Sequence, residues 1–117
     1  MSPEFEIESV VTPKGTTVLR VRGRLDVHGA PKLSARCAEE RGRRRNLVIN
    51  LAGVTFISSS GVGALLAMVE ECRLAETRVR LARVSPAVDS VIRLLNLQQF
   101  LSISPTEEQA TSTLEAA

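Results

Sequence analysis

A buried strand that runs straight into a helix through a turn of hydroxyls constrains this chain more than any other feature. Leu47-Val48-Ile49-Asn50-Leu51 is a nearly continuous apolar run, the pattern of a strand covered on both faces. From about Gly61, the residues Val62, Leu65, Leu66, Val69 and Cys72 recur at helical spacing, with Glu70, Glu71 and Arg73 on the opposite side. Between them lie Val54-Thr55-Phe56-Ile57 and the triplet Ser58-Ser59-Ser60. A helix start exposes unpaired backbone N–H groups and the positive end of the dipole. A phosphate on one of these hydroxyls would be tolerated by the domain and felt strongly by a partner. The turn is therefore a candidate switch. Its structural alternative is an N-cap serine with two neighbours solvating the turn.

The rest of the chain alternates strand and helix signals. Phe5, Ile7 and Val10-Val11 form a weak strand, and Pro13-Lys14-Gly15 is a turn. In Thr17-Val18-Leu19-Arg20-Val21-Arg22, Leu19 and Val21 share one face while Arg20 and Arg22 share the other, which predicts a strand with one wet face. Gly23-Arg24-Leu25-Asp26 ends it, with Asp26 readable as an ordinary turn residue. Pro31 sits where a helix could begin, and Gly42 is the expected C-cap. Val79 to Val84 is a further strand. Ser85 caps a helix with Pro86 in its first turn and a stripe of Val88, Val91, Ile92 and Leu95. Phe100 to Ile103 is a short last strand. Ser104-Pro105 opens a C-terminal helix with Glu107 and Glu108 in its favourable first turn, and the tail from Ala110 to Ala117 is expected to fray. Such alternation implies right-handed βαβ units with an N-terminal hairpin: an α/β fold with a small mixed sheet of four to five strands and about four helices.

At 117 residues the expectation is a single domain, residues 1–117, with a core from about 5 to 110. No apolar run approaches the ~20 residues of a membrane span. Met1-Ser2-Pro3-Glu4-Phe5-Glu6 lacks a signal-peptide core, so a cytoplasmic location is expected. Net charge is +2, with positive charge concentrated in Arg41 and Arg43-Arg44-Arg45. Basic residues there suit a helix C-terminus facing water. With three Phe and neither Tyr nor Trp, a base-stacking platform is disfavoured, so no direct nucleic-acid partner is expected. Cys37 and Cys72 lie on separate helices and read as buried thiols; with a single His they make no zinc spacing, and neither metal nor cofactor is implied.

Catalytic motifs do not survive inspection. Gly61-Val62-Gly63 continues as Ala64-Leu65, without the Lys of a P-loop. Neither Ser59 nor Ser60 has glycines two residues to each side, as a hydrolase elbow requires. His28 and Asp26 read as turn composition.

Four segments in order resemble a known family. Gly23-Arg24-Leu25-Asp26, the strand Leu47 to Leu51, Phe56-Ile57-Ser58-Ser59-Ser60-Gly61-Val62-Gly63, and Val84-Ser85-Pro86-Ala87-Val88 look like the bacterial anti-sigma factor antagonists, STAS-domain proteins. The likeness spans roughly residues 5 to 110. It implies a STAS-type fold and partner switching. The unphosphorylated antagonist binds an anti-sigma factor that is also a serine kinase and so frees a sigma factor. Phosphorylation dissociates the complex, and a serine phosphatase resets it. Such a protein is a ligand and substrate, not an enzyme. The family's phosphoacceptor lies two residues before the first glycine, which here is Ser59, with Ser60 the adjacent alternative. Asp26 matches an acidic residue at the partner surface. Gly61 and Gly63 match small residues that let the helix start close to it. Ser58, in the same partner-facing turn, stands where the family usually has Asp, and Asn50-Leu51 replaces a common Asp-Leu. A monomer is expected. Two other readings compete: a constitutive STAS docking subunit without phosphorylation, as in a lipid-transport ABC complex, and a weak anionic-membrane contact through Arg41 to Arg45.

Overall fold

The computed structural model describes residues 5–116. Met1 to Glu4 and Ala117 lie outside the described residues, so most of the segment read as lacking a signal-peptide core is not covered. The elements are β1 (Phe5–Val11), β2 (Thr17–Leu25), α1 (Gly29–Gly42), β3 (Leu47–Ile57), α2 (Ser59–Leu74), β4 (Val79–Ala82), α3 (Pro86–Leu94), β5 (Ile103–Ser104) and α4 (Glu107–Glu115). The strands form one five-stranded sheet in the order β1-β2-β3-β4-β5. β1 pairs antiparallel with β2 as the expected hairpin, and the remaining pairs are parallel. This is the α/β fold with a small mixed sheet that the alternation predicts.

Three helices cover one face and one covers the other. Leu33 and Cys37 of α1, Leu65, Met68 and Cys72 of α2, and Val88 and Ile92 of α3 pack on Leu19, Val21, Leu25, Ile49 and Leu51 of the sheet. On the opposite face, Ala110 and Leu114 of α4 close over Val18, Val48 and Ala82. β3 thus has the two-sided cover its apolar run implies. Both thiols are buried, as expected, and burial pushes the Cys37 thiol up to about 12.

Several expectations need correction. β3 does not stop at Leu51 but continues to Ile57. Its register against β2 slips between Arg20 and Arg22 and again between Gly23 and Arg24, each slip placing an extra β3 residue in the ladder. The left-handed residue after α1 is Arg44 (φ 57°), not Gly42. The last strand is shorter than expected, and the N-cap of α4 is Thr106, whose hydroxyl accepts from the Gln109 N–H. The C-terminal segment is docked rather than frayed through Glu115: Ala110 and Leu114 are buried, and Glu115 accepts from the Thr12 hydroxyl at 2.6 Å. The basic cluster is engaged as well, Arg41 with Glu71 and both Arg43 and Arg45 with the buried Glu40.

The supposed wet face of β2 is half covered. Arg20 donates through Nε (2.8 Å) and Nη2 (3.0 Å) to the Glu107 carboxylate at the start of α4, and Asn50 donates to the same group. The Arg20 contact, and to a lesser extent Asn50, hold the Glu107 carboxyl below its ordinary value. A carboxyl lowered in the folded state stabilises the fold above its unfolded value near 4.5, and that contribution is lost as pH falls through the lower folded value. Glu107→Gln is therefore expected to cost about 1.5 kcal/mol at pH 7. Urea titrations should show this difference steady from pH 8 to 6 and shrinking below pH 4. A difference independent of pH would dismiss the ion pair as its source.

Candidate functional site

The site is built where the parallel strands β2 and β3 end side by side. Leu25 pairs with Ile57, and the Leu25 carbonyl then accepts the Ser58 N–H at 3.1 Å. Ser58 is extended (φ −100°, ψ 175°), and its hydroxyl accepts from the Gly61 N–H at 3.4 Å, so it is the N-cap of α2. Its carbonyl accepts the Val62 N–H at 2.9 Å, opening the helical ladder. Ser58 is half-buried, whereas Ser59 and Ser60 are exposed in the first turn. That turn carries no acidic residue, so no side-chain carboxylate within it offsets the positive end of α2.

The two glycines differ. A Cβ on Gly61 would lie 2.3 Å from the Leu25 carbonyl oxygen and 2.8 Å from Ile57 Cγ1, so the helix starts directly against β2 because residue 61 has no side chain. Gly63 is exposed, and a Cβ there would meet nothing within 4 Å. Close approach is thus a property of Gly61.

Asp26 follows Leu25 and stands beside the serine turn. Its Oδ1 accepts from the backbone N–H groups of His28 (2.9 Å) and Gly29 (3.0 Å), and its carbonyl accepts from the Ala30 N–H. These bonds, led by the one from Gly29, hold its carboxyl below the ordinary value. Asp26 therefore organises the β2-to-α1 turn, and the notional turn role is visible in its bonds. Asp26 and Ser58 to Gly61 come together at one end of the sheet.

Two neighbours were not singled out from the motif. Arg24 and Phe56 are cross-strand partners one register step before Leu25 and Ile57, and the Arg24 guanidinium carbon lies 4.1 Å from the Phe56 ring centroid. The signal was present in the sequence, since both residues precede the motif's strand ends by one position. Val27, in the turn, is 63% exposed.

The capping bond of Ser58 is testable. Ser58→Ala removes the acceptor for the Gly61 N–H and is expected to lower stability by about 1 kcal/mol, with Ser58→Asp restoring it. Equal denaturation midpoints for Ala and wild type would remove the cap.

A mixed five-stranded sheet with a serine-capped helix packed against its strand ends defines the class: a small α/β domain. The chain belongs to the STAS domain family, whose model matches residues 8–110. It is 32% identical over 108 residues to an anti-sigma F factor antagonist of Lysinibacillus sphaericus, covering 91% of this chain and 90% of that one. Among solved structures it is similar to an anti-sigma factor antagonist from Mycobacterium paratuberculosis (TM-score 0.84, 26% identity, 97% of both chains). It is also similar to the Bacillus cell fate determinant SpoIIAA in its phosphorylated form (TM-score 0.69, 27% identity, 95% of this chain and 99% of that one).

Proposed function

We propose that this protein is an anti-sigma factor antagonist that binds an anti-sigma factor with serine kinase activity when Ser59 is unmodified, and is released when Ser59 is phosphorylated. A serine phosphatase restores the binding form. The protein acts as ligand and kinase substrate rather than as an enzyme. The observation that carries this reading is the exposed hydroxyl of Ser59 in the acid-free first turn of α2, set against the end of β2 beside Asp26. The names of its relatives supply the partner class.

The chemistry of the switch follows from charge. Phosphorylation adds about −1.5 to −2 charges at pH 7 and three acceptor oxygens. The N–H groups at the start of α2 offset that charge within the protein, so the fold tolerates it. A partner surface that fits the neutral turn must now desolvate or repel it. Ser58 in place of the family's usual Asp leaves one carboxylate fewer beside the acceptor, which eases phosphate accommodation but alters the face that a kinase reads. Ser60 is the alternative acceptor, and Gly61 fixes where both hydroxyls sit.

The test is affinity capture from the native host's lysate with Ser59→Ala and Ser59→Asp baits, followed by titration of the purified partner. An ATP-binding kinase held by the Ala form and bound at least about a hundredfold more weakly by the phosphorylated or Asp form supports the switch; that ratio corresponds to about 3 kcal/mol. The same partner on both baits, such as a transporter ATPase, would replace the switch with the constitutive docking reading.

A further inference from the structure

Beside the serine turn, the ends of β2 and β3 carry an exposed arginine stacked on an exposed aromatic ring. Phe56 is 39% exposed, and the Arg24 guanidinium covers its ring at 4.1 Å. Among the described residues the ion-pair partner of Arg24 is Asp26, reached through Nε at 3.5 Å. Arg24 faces Oδ2 of that carboxylate, while Oδ1 accepts from the His28 and Gly29 N–H groups. Arg36 and Arg93 are held more closely, by Glu39 at 2.6 Å and by Asp89 at 2.8 Å. The terminal amino groups of Arg24 thus belong to a side chain that is 51% exposed and only loosely paired.

We infer that Arg24 and Phe56 form a recognition pair for the partner protein, rather than a contact serving this fold alone. Phe56 would receive an apolar side chain, and Arg24 a carboxylate presented next to it. The inference rests on the functional reading above and names the chemistry of the partner's surface: an acidic residue adjoining an apolar one. Two features favour that occupant. The ring pre-positions the guanidinium, so little side-chain freedom is lost when a carboxylate arrives. Leu25 and Ile57, one step after Arg24 and Phe56, turn into the core beneath α2, and the Leu25 carbonyl seats Ser58. The pair thus stands on the other face of the same strand ends, within one register step of the turn through which the partner would sense phosphate. Arginine and aromatic side chains dominate binding energy when such a patch is desolvated.

The experiment uses the partner captured with the Ser59→Ala protein, expressed and purified, and titrated against full-length variants. Arg24→Gln should weaken binding about tenfold, and Arg24→Glu more, because the second places like charges together. The salt dependence of affinity should be smaller for Arg24→Gln than for wild type. Phe56→Ser should also weaken binding about tenfold. Thermal unfolding of each variant separates lost recognition from lost folding. Phe56→Leu, which keeps an apolar surface, gives a second check by retaining most of the affinity. Wild-type affinity in Arg24→Glu, or tighter binding by it, overturns the assignment while leaving partner switching intact. Failure of the Ser59→Ala bait to capture any ATP-binding partner overturns the functional reading and this inference together.

Discussion

Gly61→Ala is expected to destabilise the protein by about 2 kcal/mol, and Gly61→Val by more than 3 kcal/mol. The new Cβ would lie 2.3 Å from the Leu25 carbonyl oxygen, a backbone atom that cannot swing aside like a side chain. That oxygen also accepts the Ser58 N–H, so moving β2 or α2 to relieve the clash lengthens the bond that seats the cap. Helix propensity works in the other direction, since alanine is favoured over glycine by up to about 1 kcal/mol in a helix interior, less in a first turn. Steric cost outweighs it here because the obstruction is backbone at far below contact distance. At Gly63 the balance reverses. Nothing lies within 4 Å of a Cβ there, so Gly63→Ala should be neutral or stabilising by about 0.5 kcal/mol. Urea unfolding of the two alanine variants should therefore place them on opposite sides of wild type. An unchanged midpoint for Gly61→Ala would mean that α2 does not need to start against β2.

The same close approach explains which parts of the site were readable beforehand. Ser58 to Gly61 follow a buried strand and precede a helical stripe, and a strand-to-helix turn with a hydroxyl N-cap follows from local chemistry. The bond from Ser58 to Leu25 is different. It joins residues far apart in the chain and depends on the register of β2 against β3, which no local pattern specifies. Only the resemblance to a family placed Asp26 beside the serines.

The C-terminal half of β3 was hidden for a distinct reason. Leu51, Val54 and Ile57 are the buried residues of that half, spaced by three rather than two. Two register slips insert extra residues into the ladder, so strict alternation fails where the strand bends toward the site. Ala52-Gly53 then looks like a strand end. In the structure a Cβ on Gly53 would lie 2.6 Å from the Arg22 side chain, marking a close crossing rather than a terminus. The fate of α4 was hidden by composition. Its sequence is polar apart from Ala110 and Leu114, and those two residues suffice because the face they cover is narrow, made by Val18, Val48 and Ala82. Arg20 looked like a solvent residue because its partner, Glu107, lies 87 positions away.

Glu40 provides the second large effect. It lies near the C-terminus of α1 and is 2% exposed, yet it is a carboxylate. Its Oε2 accepts from the Thr17 hydroxyl at 2.8 Å, and Thr17 is fully buried at the start of β2. Three guanidinium groups surround it, Arg43 at 3.1 Å, Arg36 at 3.7 Å and Arg45 at 3.7 Å. Its position among them supplies the compensation that a buried charge requires. Glu40→Ala is expected to cost about 3 kcal/mol. The loss does not come mainly from stranded arginines, because Arg36, Arg43 and Arg45 are 28%, 54% and 36% exposed and can turn to water. It comes from the buried Thr17 hydroxyl left without its acceptor and from the space the side chain vacates. Glu40→Gln keeps the volume and an acceptor for Thr17, and should cost less than half as much. Thr17→Val removes the other partner, so a double-mutant cycle between residues 17 and 40 should show coupling of at least about 1 kcal/mol. Additive single losses would mean that Glu40 acts through the arginines. Coupling would instead identify the carboxylate as the link that ties the end of α1 to the start of β2, the strand whose far end carries Asp26 beside the serine turn.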